Sequence, residues 1–142
     1  MTEQNRVTDE PVERRSDRVE LTMPARESML MLTRLTVAGV LANSSRDFDT
    51  LEDAKSAAAE ACYCLLQQPC GYTRLSLCLV MDEGEMTLNV RGLEPTMQAQ
   101  RLESMSQCED VALCILQSMV DDVQIDAGDG VIRGFTLTRR IV

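Results

Sequence analysis

Histidine is missing from this chain of 142 residues. Its absence removes the commonest general base and the commonest metal ligand. No Ser/His/Asp or Cys/His catalytic arrangement is available. Tryptophan is missing too, and aromatic residues make up 3% of the chain. The core must therefore come from Leu, Val, Ile, Ala, Met and Cys, and the nine methionines favour an adaptable core or contact surface. Lysine occurs once, at Lys55, against thirteen arginines. The six cysteines (Cys62, Cys64, Cys70, Cys78, Cys108 and Cys114) form no C-x-x-C pair. That excludes zinc-knuckle spacing and favours buried thiols in a reducing compartment. No long apolar run resembles a leader or a membrane span, so the expectation is a cytoplasmic protein without membrane contact. Basic excess is lacking as well. The formal net charge of -9 disfavours nucleic acid as a direct partner and favours basic protein surfaces, such as the helices of a DNA-binding regulator.

What is present reads as one domain. Residues 1–17 are polar and charged and form a flexible tail; 18–142 is the folded unit. Val19, Leu21 and Met23 alternate with polar residues in a half-buried strand ended by Pro24. From Arg26 to Asn43 the pattern is helical, with apolar residues on more than one face. A second helix starts at Asp49 or Thr50 and runs to Gln68, with Leu51, Ala54, Ala58, Ala61, Cys62 and Leu65 as its stripe. Pro69-Cys70-Gly71 stops it. Two alternating strands around Leu75–Leu79 and Met86–Val90 are joined by a hairpin at Asp82-Glu83-Gly84-Glu85. Leu93 to Gln107 is polar and partly helical. Val111 to Met119 is a helix, and two strands meet at Gly128-Asp129-Gly130. The order predicts an α+β two-layer sandwich, a mostly antiparallel mixed sheet with helices on one face.

This element order resembles the serine-kinase anti-sigma factors, a branch of the Bergerat-fold (GHKL) group with the histidine-kinase-like ATPase fold. Three segments carry the likeness: V-E-L-T-M-P-A (19–25), L-E-D-A-K-S-A-A-A-E-A-C (51–62) and A-L-C-I-L-Q-S-M-V-D-D-V-Q-I (112–125). The resemblance implies a catalytic Glu60 if the protein is active. It also marks Cys64, Arg91, Gly92, Glu109 and Asp110 as the positions of the nucleotide boxes. Each box departs from the family's pattern. Cys64 stands where the family has a magnesium-binding Asn, and magnesium prefers oxygen ligands. Arg91-Gly92 stands where an Asp accepts the adenine amino group, and a guanidinium has donors only. Between Gly92 and Gly128 there is no glycine to let backbone amides approach phosphate, and Glu109 and Asp110 add like charge. Blander roles are available: a solvated Glu60, a core-filling Cys64, an ion-paired Arg91 and a negatively charged first helical turn.

The resemblance thus implies an anti-sigma-like regulator that acts by protein binding, with no cofactor, on a sigma factor or an anti-sigma antagonist. The alternative is an ATP- and magnesium-dependent serine/threonine protein kinase with the same regulatory role. A scaffold domain is the third reading. A homodimer through residues 19–43 is expected, because Met29, Met31, Val37 and Leu41 would otherwise form an exposed patch beside an edge strand. Family dimers imply the same region. On that reading Val37→Asp dissociates the dimer without unfolding it.

Overall fold

Period-two alternation builds the sheet. The computed structural model describes residues 17–42, 47–96 and 105–141, with side chains of the last segment from residue 110 onward. Strand β1 is Asp17–Pro24, β2 Tyr72–Asp82, β3 Glu85–Pro95, β4 Asp122–Gly128 and β5 Val131–Arg140. They form one sheet in the order β1-β2-β3-β5-β4. All four pairings are antiparallel, so the parallel component expected of a mixed sheet is not found among the described residues. Asp17, assigned by sequence to the tail, already pairs with Met81. The remainder of that tail lies outside the described residues.

The hairpins form where left-handed backbone is tolerated. Glu83 (φ 54°) and Gly84 (φ 80°) join β2 to β3, and Asp129 (φ 56°) and Gly130 (φ 76°) join β4 to β5. Two consecutive positive φ angles suit the right-handed twist of the flanking strands.

Helix α1 is Leu30–Leu41, preceded by a 3-10 turn at Glu27–Met29; α2 is Phe48–Leu66 and α3 Met105–Gln117. The N-cap of α2 is Asp47, two residues ahead of the expected start. Its carboxylate accepts from the Asp49 amide at 3.2 Å and the Thr50 hydroxyl at 2.7 Å. Those bonds, the Thr50 one foremost, hold the Asp47 carboxyl below its usual pKa. The cap is therefore strongest while Asp47 is ionised.

One face of the sheet carries Leu75, Leu77, Leu79, Met86, Leu88, Val90, Phe135 and Leu137, all buried. Helix α2 lies on this face, its stripe Ala54, Ala58, Ala61, Cys62 and Leu65 wholly inaccessible as expected. Helix α1 packs on one side of α2, and α3 packs on α2 and β4. Arg139 ties the layers together: it donates to the Met119 carbonyl at 2.8 Å and the Thr50 hydroxyl at 3.2 Å, and pairs with Asp53 at 3.4 Å.

Helix α1 corrects one expectation. Thr33, Val37 and Leu41, spaced by four, form its buried stripe, and Val37 and Leu41 are 0% exposed. They belong to the core of one chain, so Val37→Asp tests folding rather than association. The apolar residues left outside are Met31, Leu32 and Leu35, of which Met31 is 62% and Leu35 60% exposed. The expected edge position of β1 is confirmed.

Candidate functional site: a groove between two helices

The four-residue spacing of Glu60 and Cys64 places both toward α3, where they line a groove with a volume of about 310 Å³. Tyr63, Gln67 and Gln68 complete the α2 side; Val111, Ala112 and Ile115 form the α3 side. Cys64, Gln68 and Ala112 are buried, so they make the floor. Tyr63, Val111 and Ile115 are exposed, so the groove opens to solvent.

The remaining candidate residues stand elsewhere. Arg91 follows buried Val90 and turns to the sheet face away from the helices. It crosses Gly134, its cross-strand partner, and pairs with Asp126 on β4. A Cβ on Gly134 would lie 2.7 Å from the Val90 carbonyl oxygen and 2.9 Å from the Arg91 guanidinium, and the backbone contact accounts for the glycine. The Arg91 hydrogen bond holds the Asp126 carboxyl below its usual pKa. The last helix begins at Met105 rather than at the expected Val111, so Asp110 is exposed in its middle instead of in a first turn, and it does not line the groove. The Glu109 side chain lies outside the described residues.

Gly92 faces the helix layer under the ring of Tyr72, where a Cβ would come within 2.3 Å of ring carbon. The β3–β5 pairing ends at Arg91↔Gly134. Beyond that point side chains take over. Tyr72 donates its hydroxyl to the Ile132 carbonyl at 2.7 Å, and the Ile132 amide donates to Gln68 Oε1 at 2.9 Å. Gln68 Nε2 donates to the Cys64 carbonyl at 3.0 Å. Desolvation foremost, then Cys70, raises the Tyr72 pKa, so the hydroxyl keeps its donor proton. A register shift in β4 between Asp126 and Ala127 coincides with this change of partners.

Gln68 and Tyr72 were not singled out by sequence. The Gln68 signal was there: the stripe 54-58-61-65 continues by helical spacing to 68. Tyr72 offered none, since its role depends on where β3 and β5 part.

No protein-family model matches the chain. It is 27% identical over 131 residues to the serine-protein kinase RsbW of Halalkalibacterium halodurans, covering 83% of this chain and 81% of that protein. It also superposes, with a TM-score of 0.64, on the crystal structure of the RsbU and RsbW domains of Rv1364c from Mycobacterium tuberculosis. That match covers 88% of this chain and 32% of the longer one, at 15% identity, and speaks for the fold. This chain is thus similar in sequence to a serine-protein kinase of the RsbW type and shares the fold of an RsbW-containing protein.

The groove brings Glu60 and Cys64 against the middle of the last helix, at Val111, Ala112 and Ile115. Among the described residues, no cluster of three His, Cys, Asp or Glu side chains could hold a metal ion. No helix there is long and apolar enough to cross a membrane.

The thiols among the described residues differ in exposure. Cys62, Cys64 and Cys70 are buried, Cys78 is half-buried and Cys114 is exposed. Burial pushes the Cys62 thiol up to about 11, so its reactive thiolate is scarce at neutral pH. Peptide mapping after brief alkylation should find Cys114 labelled first and Cys62 labelled only on unfolding. Labelling of Cys62 in the folded protein at the Cys114 rate would refute this ordering.

Proposed function

We propose that this chain is an anti-sigma-type regulator that works by binding proteins, without nucleotide. The groove carries this reading. It is lined largely by apolar groups, with a thiol at Cys64 where the family's magnesium ligand would be. The adjoining backbone at Ile132 is already bonded by Gln68 and Tyr72, and Tyr72 covers Gly92. The sigma factor or antagonist partner, and a cytoplasmic location, are carried over from the family. The second reading, an ATP-dependent serine kinase, is favoured by Glu60 in the groove and by the name of the Halalkalibacterium relative.

Calorimetric titration with magnesium-ATP separates the two. Three unfavourable boxes, at about 1–3 kcal/mol each, would carry a micromolar site to roughly millimolar affinity. A micromolar dissociation constant would overturn the proposal. Co-purification with a sigma factor or an antagonist supports the regulatory role; failure with both would leave a scaffold.

We further propose a homodimer through β1 and α1. Among the described residues, strand β1 is an edge strand of the sheet. Beside it Met31, Leu32 and Leu35 are exposed. Gly39 has nothing within 4 Å of its would-be Cβ, so no contact among the described residues accounts for a glycine inside α1. Such a residue costs a helix about 1 kcal/mol, and close approach of a second helix would explain it. Sedimentation at micromolar concentration should give twice the 15.8 kDa chain mass. Leu35→Asp should return it to a folded monomer; a monomeric parent protein would sink the idea.

A further inference from the structure

The groove's open side presents three large apolar side chains: Tyr63 is 40%, Val111 58% and Ile115 37% exposed. Monomers rarely leave such groups together in a concavity. We infer that the groove docks a short amphipathic helix with basic flanks, supplied by a partner protein. This inference rests on the protein-binding reading above.

Three observations select that occupant. The first is charge. Among the described residues Glu60 is the only charged one lining the groove, Asp110 is exposed next to Val111, and the chain carries a formal net charge of -9. Basic groups beside an apolar stripe would meet complementary potential there. The second is shape. Glu60, Tyr63 and Gln67 on α2, and Val111 and Ile115 on α3, are spaced by three and four. Ridges at that spacing accept the i, i+3 or i+4, i+7 anchors of another helix. The third is backbone chemistry. Both walls are helices whose amides bond internally, so the groove offers no row of free N–H and C=O groups for an added strand. The β1 edge is remote: α1 and β1 lie toward one sheet edge, α3 and β4 at the other.

The test uses the whole chain and a fluorescent, amidated 16-residue helical peptide, with leucines at i, i+3, i+7 and arginines at both ends. A scrambled peptide of the same composition controls for attraction to an acidic protein. Fluorescence polarisation should show saturable binding by the patterned peptide, at least about tenfold tighter than by the scrambled one. Val111→Asp and Ile115→Asp, both at exposed positions, should each weaken it by at least about tenfold. Glu60→Gln should weaken it about threefold and flatten its salt dependence. Leu35→Asp should leave it unchanged. Equal binding of both peptides, indifference to Val111→Asp, or no saturable binding would overturn the inference. So would self-association that Val111→Asp abolishes, because the occupant would then be a second copy. The two proposals fail separately. Micromolar magnesium-ATP binding defeats the nucleotide-free reading, whereas loss of peptide binding with partner capture intact defeats the groove alone.

Discussion

Val37→Asp is expected to unfold the domain. Val37 is 0% exposed between α1 and α2, in the cluster with Leu41 and Cys62. A carboxylate there must stay ionised without a partner or take up a proton, and either course costs several kcal/mol, roughly 4 or more. A domain of this size has about 5–15 kcal/mol in total. Urea titration followed by circular dichroism should show a greatly lowered midpoint or no folded baseline. Leu35→Asp, two residues away and exposed, should leave the midpoint within about 0.5 kcal/mol of the parent when both are compared as monomers. If Val37→Asp instead gave a folded monomer of parental stability, the buried stripe of α1 would be misassigned. The contrast matters for function, because only the Leu35 change can report on association.

Gln68→Ala should cost about 2–4 kcal/mol, most of it from one orphaned donor and the space left by a buried side chain. Gln68 accepts from the Ile132 amide and donates to the Cys64 carbonyl. The Cys64 carbonyl keeps the Gln67 amide as a second donor, so the Ile132 amide is the group left without a bond. Beyond Arg91↔Gly134 the ladder has no β3 residue to replace it. Gln67→Ala is the control, since Gln67 is exposed and the change should stay within about 0.5 kcal/mol. Thermal unfolding of both variants decides the matter. Equal losses would mean that the Gln68 bonds contribute little. Since Gln68 also floors the groove, a stable Gln68 variant with widened nucleotide affinity would point to self-occupation of the site as the block.

The comparison of residues with their surroundings separates local from non-local information. Alternation at Leu75–Leu79 and Met86–Val90 foretold which side chains enter the core, because a strand has only two faces. Glu83-Gly84 and Asp129-Gly130 foretold the hairpins, because few residues accept left-handed backbone. The α2 stripe was equally legible as far as Leu65, one turn short of Gln68. The α1 pattern was not, because an excess of apolar residues cannot say which of them face inward. Helical phase alone allows Met31 and Leu35, or Val37 and Leu41, to lie against the protein.

By itself, then, the sequence determined the element order, the two hairpins and the absence of histidine chemistry. Each of those is a property of a residue and its near neighbours. Only the tertiary structure decided that Val37 is core and Leu35 surface. It alone joined Glu60 and Cys64 to Val111 and Ile115 in one groove, and sent Arg91 across Gly134 to Asp126. It alone placed Tyr72 over Gly92 with its hydroxyl on Ile132. These contacts join residues 20–60 positions apart, and they depend on sheet order and strand register, which no local pattern encodes.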